Sequence, residues 1–167
     1  MHYRHVQRRE LAGYGLSGDA YHITAPSVDG NGGLRSMKMA LAKAGLALED
    51  IGYINAHGTA TPLNDPTETE AIKLVFGESA PHIPVSSTKS MHGHLMGATA
   101  AVEFAACIMA LKQQALPPTI NLHQPDPKCD LDYIPNIGRS GVAIRHVMSN
   151  SFAFGGTSGV LIASSLG

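Results

Sequence analysis

The 167-residue chain has no tryptophan, 5% aromatic residues, two cysteines, only 15% charged residues and a net charge of −1. Each scarcity excludes something. Cys107 stands in an apolar stretch and Cys129 in a polar one, too few and too differently placed for a disulfide framework, so a reducing, cytoplasmic setting is expected. The near-neutral balance argues against nucleic acid, because the short basic cluster Arg4 to Arg9 is followed by nothing similar. The amino terminus lacks the apolar core of a signal peptide. Residues 95 to 111 form a long apolar run, but they are rich in glycine and alanine and carry Glu103 in the middle, which reads as a helix buried in protein and not as a membrane span. Internal repeats and low-complexity tracts are missing. A surface so poor in charge implies that part of it is covered by a partner.

What is present is an ordinary apolar fraction of 44% in a chain long enough for one core. Val6 to Gly18 reads as an opening strand. Leu34, Met37, Leu41 and Ala44 then keep helical spacing up to a capping Gly45. Ile51 to Ala56 reads as a second strand, and Asp65-Pro66-Thr67-Glu68 starts a helix to about Phe76, with carboxylates complementing its dipole. Ile83-Pro84-Val85 is a third strand, followed by a polar loop and the apolar helix from about Gly93 to Leu111. Pro117 to Asn136 holds five of the ten prolines and is expected to be an irregular functional or interfacial excursion. Val142 to Ile144, Val147-Met148 and Val160 to Ala163 supply closing strands joined by a glycine turn. Strands alternating with helices predict a three-layer α/β domain whose mostly parallel sheet has an antiparallel member.

Chemistry collects where strands end. His57 and His94 each follow a strand and adjoin glycine, so both are expected on one rim of the sheet, where two imidazoles suit hydrogen bonding to an oxygen that gains negative charge. Solvated loop histidines are the plainer alternative. His92 and His94 are two apart, but no Cys, Asp or Glu cluster completes a ligand set for a catalytic metal. Glu103, the only carboxylate on its helix, needs a partner, and Lys89 is the candidate. Phe154-Gly155-Gly156-Thr157 lacks the lysine of a phosphate loop, so a nucleotide site is rejected.

Three segments resemble the signature blocks of the C-terminal half of the β-ketoacyl-acyl carrier protein synthases, most closely the synthase II type. They are Asn55-Ala56-His57-Gly58-Thr59-Ala60-Thr61-Pro62-Leu63-Asn64-Asp65, Ser86-Ser87-Thr88-Lys89-Ser90-Met91-His92-Gly93-His94-Leu95-Met96-Gly97 and Asn150-Ser151-Phe152-Ala153-Phe154-Gly155-Gly156-Thr157. Asp19 to Pro26 and Pro125 to Asn136 resemble further stretches of that half, and coverage runs from about Glu10 to the end. The resemblance implies a thiolase-like half domain, three-layer αβα with a five-stranded mixed sheet. Residues 1–167 would be a single C-terminal domain, with the N-terminal half that carries the nucleophilic cysteine absent and the whole enzyme a cytoplasmic homodimer. The implied reaction is decarboxylative condensation of an acyl thioester with malonyl-acyl carrier protein in fatty acid elongation.

By the same resemblance His57, His94 and Lys89 are catalytic and Glu103 and Phe154 supporting, Phe154 gating the acyl pocket. Thr59, Thr61, Gly155 and Gly156 contact substrate or its phosphopantetheine arm. No cofactor is required, since phosphopantetheine arrives on acyl carrier protein; Na+ or K+ would sit at Asn55, Ala56, Glu103, Ser149 and Asn150. Expected partners are acyl carrier protein and the missing half, with no nucleic acid and no membrane span. The chain departs from the family pattern at His92 (a hydroxyl residue is usual), Ala60, Thr99-Ala100, Ser158 and Ala153. The last stands for a glycine and is expected to stiffen the gating loop or shift its backbone. A chain-length-factor-like or scaffold module without turnover is the alternative; chain-length factors typically lose the histidines that this chain keeps.

Overall fold

The computed structural model describes residues 9–25, 27 and 31–166, so the first residues of the expected opening strand lie outside the described part. In chain order the elements are β1 (Arg9–Gly18), α1 (Asn31–Ala44), β2 (Ile51–Asn55), α2 (Asn64–Phe76), β3 (Val85–Ser86), α3 (Lys89–His92), α4 (Thr99–Gln113), the short pair β4 (Ala115–Leu116) and β5 (Arg139–Ser140), and the hairpin β6 (His146–Ala153) and β7 (Thr157–Ser165). The main sheet has five strands in the order β1-β7-β6-β2-β3. β2 pairs in parallel with β3 and β6, while β7 is antiparallel to both β6 and β1, giving the mixed sheet expected.

Alternation along the central strands divides the interior into two cores. Ile54, Met148 and Ile162 point to one face, where they meet Met37 and Leu41 of α1 and Ile72, Val75 and Phe76 of α2. Their neighbours Tyr53, Val147 and Ala163 point to the other face, against Cys107, Ala110 and Leu111 of α4. With helices on both faces the domain is three-layered, the thiolase-like α/β class predicted. The stretches Tyr53-Ile54, Val147-Met148 and Ile162-Ala163 therefore read as apolar runs and not as alternations.

Several boundaries differ from the sequence expectation for physical reasons. The third strand is only Val85–Ser86, because Pro84 has no N–H to give a ladder. The apolar helix does not start at Gly93: α3 ends there at φ 74, Met96 adopts φ 51 within a 3-10 turn, and α4 begins at Thr99. Lys89 accordingly lies on a short helix and not in a loop. Val142 to Ile144 is not a strand, whereas β6 extends through Ala153, since Ser149, Asn150 and Ser151 keep the ladder with β7. Residues 117–136 are irregular as expected but also packed: Ile134 is buried, Val85 N–H donates to the Asp132 carbonyl, and Lys73 and Arg139 pair with Asp130 and Asp132.

β1 lies so close to α1 that only glycine fits: a Cβ on Gly15 would strike the Ser36 carbonyl oxygen, and one on Gly13 the Ala40 carbonyl. At Gly18 nothing lies within 4 Å of such a Cβ. Gly15→Ala is expected to destabilise the chain by roughly 1–3 kcal/mol in urea titration, against about 0.5 kcal/mol or less for Gly18→Ala.

Candidate active site

The segment after β2 and the segment after β3 end on the same rim, because the two strands are parallel neighbours. His57 follows β2 and is nearly buried; His94 follows α3 and is exposed. Their ring centroids are 5.9 Å apart at an interplanar angle of 88°, and Phe152 of β6 packs 5.5 Å from the His57 ring on another side. The hydrogen bonds fix the tautomer of His94. Its Nδ1 accepts from the Met96 backbone N–H at 3.1 Å and, at the same length, from the Thr99 hydroxyl, so Nδ1 is bare and the proton sits on Nε2. His94 therefore has one N–H left to give. His57 is held neutral: burial first, then the Lys89 charge, with the neighbouring His94 ring a smaller contributor, push its pKa down to about 3.

Beneath the imidazoles lies one buried ion pair. Lys89 Nζ is 2.6 Å from Glu103 Oε1, with side-chain exposures of 5% and 0%. Burial pushes the Glu103 carboxyl up, and the Lys89 hydrogen bond and charge oppose it. A second buried carboxylate shapes the rim. Glu68 Oε1 accepts from the His57 backbone N–H at 2.9 Å and from Asn150 Nδ2 at 3.1 Å, while Oε2 accepts from Gly58 N–H at 2.9 Å. Glu68, expected to complement the dipole at the start of α2, instead fixes the backbone that carries His57. Gly58, at φ 41, has no room for a Cβ against Ser87, whose Oγ donates to the Gly58 carbonyl at 2.7 Å.

Beside the rim opens a cavity of about 700 Å³ whose lining includes Gly58, Thr59, Thr61, Lys89, His94 and Thr119. A match to the model of the β-ketoacyl synthase family, C-terminal domain, covers residues 9–123 of this sequence. The chain belongs to the β-ketoacyl synthase family. It is 52% identical over 155 residues to the 3-oxoacyl-[acyl-carrier-protein] synthase 2 of Coxiella burnetii, covering 93% of this chain and 37% of that protein. With the synthase 2 of Staphylococcus aureus it shares 50% identity over 153 residues, 92% of this chain and 38% of the relative. The chain thus spans under two fifths of the curated relatives it matches. Among solved structures, a type II polyketide ketosynthase in complex with its acyl carrier protein superposes with a TM-score of 0.92 at 43% identity, over 95% of this chain and 39% of that one. A β-ketoacyl synthase from Burkholderia phymatum superposes with a TM-score of 0.88 at 39% identity, over 95% of this chain and 38% of that one.

In this β-ketoacyl synthase domain the expected site residues are not all gathered at one point. His57, His94, Lys89 and Glu103 come together, and Thr59 and Thr61 share a hydrogen bond of 3.1 Å at the cavity. Phe154, Gly155 and Gly156 form the turn between β6 and β7, outside the cavity lining, and Phe154 is 79% exposed. That turn is tied to the segment after β1: Gly155 N–H donates to the Ile23 carbonyl and Asp19 N–H to the Gly156 carbonyl. Ala153 sits at φ −139 and ψ 161, extended backbone that any residue adopts. Neither cysteine is activated. Burial pushes the Cys107 thiol up to about 12, and Cys129 is also raised by burial. Phe152 and Glu68 were missed; a carboxylate one turn into a helix that otherwise faces the core was the available signal for Glu68.

The five residues to which the resemblance assigns a monovalent cation are all buried. Two of their oxygens, Glu103 Oε2 and Asn150 Oδ1, have no hydrogen-bond partner, and an uncompensated buried carboxylate oxygen suits a hard cation. Among the described residues no group of three or more His, Cys, Asp and Glu could hold a metal.

Two expectations follow from the charges. An imidazole whose folded pKa lies near 3, against 6.5 unfolded, must lose its proton to fold. Its contribution is thus complete above about pH 6.5 and falls by up to about 1.4 kcal/mol per unit as pH drops towards 3. Urea titrations from pH 4 to 7 should show that slope shrinking in His57→Gln; parallel pH profiles would remove the assignment. Glu103→Gln leaves the Lys89 ammonium buried without its counter-charge and should cost roughly 3–5 kcal/mol. Exposed Glu49→Gln, measured alongside, should change stability by less than about 0.5 kcal/mol.

Proposed function

We propose that this chain is the C-terminal half of a 3-oxoacyl-[acyl carrier protein] synthase, an acyltransferase that extends acyl chains by decarboxylative Claisen condensation in fatty acid elongation. The observation that carries the reading is the pair of facing imidazoles, one held neutral by burial and the other with its Nε2–H left to donate. Two neutral donors suit an oxygen that becomes negative during the reaction. In the malonyl thioester the bond to the carboxylate breaks and carbon dioxide leaves. The electron pair moves onto the thioester oxygen as an enolate, which accepts hydrogen bonds from His57 and His94. The enolate carbon then attacks the acyl thioester, and the cysteine thiolate of the N-terminal half is the leaving group.

Lys89 keeps His57 neutral through its charge and is itself held by Glu103; both act by orientation and field. Thr59 and Thr61 line the cavity where the phosphopantetheine arm of acyl carrier protein would lie, and Phe154, Gly155 and Gly156 border the acyl side. A monovalent cation, if bound, would be held by Asn55, Ala56, Glu103, Ser149 and Asn150 and would compensate the second Glu103 oxygen. The N-terminal half is the expected cover for the exposed apolar residues Val102 and Met109 on α4 and Leu11 and Leu16 on β1. Homodimerisation and a cytoplasmic setting complete the reading. Among the described residues no helix is long and apolar enough to cross a membrane. Retention of both histidines, paired with a buried lysine, favours catalysis over a chain-length-factor-like or scaffold module. One structural neighbour is a type II polyketide ketosynthase and another a ketosynthase with its chain length factor, while the curated relatives near 50% identity are synthases of type 2.

The test uses radiolabelled long-chain acyl-acyl carrier protein followed by malonyl-acyl carrier protein. With a separately expressed N-terminal half, the chain is expected to give thioester label and elongated product; by itself it is expected to give neither. Label or product from the chain alone would overturn the half-enzyme reading. In the full-length protein, His57→Ala and His94→Ala should suppress carbon dioxide release by roughly two orders of magnitude or more while label still reaches the cysteine.

A further inference from the structure

A third histidine stands in the same segment and has no part in the chemistry above. His92 closes α3 and is half-buried. Its Nδ1 lies 2.7 Å from the Gly93 carbonyl oxygen and its Nε2 3.2 Å from Thr88 Oγ1. A carbonyl only accepts, so the proton is on Nδ1, and a neutral ring then leaves Nε2 bare to accept from the Thr88 hydroxyl. Thr88 Oγ1 in turn accepts from Asn55 Nδ2 at 3.1 Å, and the other acceptor within reach of its single proton, Asn55 Oδ1, is farther than His92 Nε2, at 3.5 Å. The donors run in one sense, from the Asn55 amide through the Thr88 hydroxyl and the His92 imidazole to the Gly93 carbonyl, an order in which each bond polarises the next.

The two ends of this relay differ in rigidity. Asn55 and Thr88 are 0% and 2% exposed, Asn55 the last residue of β2 and Thr88 the residue immediately before α3. Gly93 is exposed and adopts φ 74; its N–H is held by the Lys89 carbonyl at 2.8 Å, but beyond its chain neighbours no atom lies within 4 Å of where its Cβ would be, so packing does not pin its carbonyl side. Yet its peptide leads directly into His94. Beyond it, His94 is fixed by Met96 N–H and the Thr99 hydroxyl.

We propose that His92 is a positioning residue for His94: its imidazole, held in the Nδ1–H tautomer by Thr88 and Asn55, restrains the Gly93 peptide and so sets the aim of the His94 Nε2–H. The consequence for turnover rests on the function proposed above, whereas the relay itself does not. A half-buried histidine that merely caps its own turn would hold Gly93 without any effect on His94, and that is what the experiment separates.

Nitrogen-15 NMR of the imidazoles of this chain is expected to show His92, assigned by loss of its signal in His92→Phe, with Nδ1 protonated and Nε2 bare. In His92→Phe the His94 ring resonances should move. In His92→Asn, whose amide N–H is placed to donate to Gly93, they should return towards their original positions. In the full-length enzyme His92→Phe should lower kcat for malonyl decarboxylation roughly 10- to 100-fold with KM changed less than about twofold, and His92→Asn should restore most of it. A His92 protonated on Nε2, or His94 resonances unmoved in His92→Phe, would overturn the proposal. An unsubstituted full-length protein that does not decarboxylate would defeat the proposed function, and the NMR result would still decide the relay. The wild-type tautomer and the asparagine variant keep the test decisive if the phenylalanine variant does not fold.

Discussion

The site depends on one buried carboxylate. Glu68 reaches from α2 to take hydrogen bonds from two consecutive backbone N–H groups after β2 and from the Asn150 amide of β6, so three elements meet on its two oxygens. Burying a carboxylate in this way is costly, and burial does raise the Glu68 pKa against the lowering effect of its donors. What the arrangement secures is direction. The chain leaving a parallel strand carries N–H groups that the sheet no longer satisfies, and Glu68 satisfies two of them while turning His57 towards the rim. Without that acceptor the His57 peptide would be a buried, unpaired donor and the ring would have no fixed aim.

The second constraint is the separation of charge from the imidazoles. Lys89 and Glu103 confine a cation and an anion to one buried pair. The Lys89 charge acts on His57 in the same direction as burial does, towards the neutral ring. A neutral imidazole still has an N–H to donate to an oxyanion, and it does so without placing a second buried positive charge beside Lys89. The cost of burying the pair is thus tied to the protonation state of the group above it, which a surface lysine, screened by solvent, would not control.

Much of this was legible in the sequence, and the misses have definite causes. The strand-then-polar-loop pattern at Asn55 to Pro62 placed His57, and the lone Glu103 on an apolar helix called for a partner, which is Lys89. Parallel order in the sheet brings the two rims together, as the alternation of strands and helices implied. Helix boundaries around Gly93 were not legible, because an uninterrupted apolar run from Leu95 conceals the break that Gly93 and Met96 introduce through positive φ. Glu68 was hidden for a different reason: an acidic residue in the first turns of a helix is so often a dipole partner that its burial could be seen only once β2 and β6 were in place. Phe152 was obscured by Phe154, two residues on and on the same side of an extended strand, until the strand ended and the turn carried Phe154 out to solvent.

The outer surface of α4 carries the argument one step further. Its inner face is Glu103, Cys107, Ala110 and Leu111, while Ala100, Ala101, Val102, Ala105 and Met109 remain exposed. Small side chains on the outer face allow another backbone to approach closely, since the distance between packed helices is set by the residues at their contact. Lys89 and Glu103 lie between that helix and the sheet, so a partner packed on α4 would seal the buried pair from the far side without touching it. The sparse charge noted at the outset and the apolar outer face are therefore the same property seen twice: this surface was not selected to meet water. A domain built in this way packs through its two inner cores but leaves the rim around its paired imidazoles open, with His94 exposed to solvent. Water there would compete for the His94 N–H, and excluding it would strengthen that donor towards the developing negative charge of the proposed reaction.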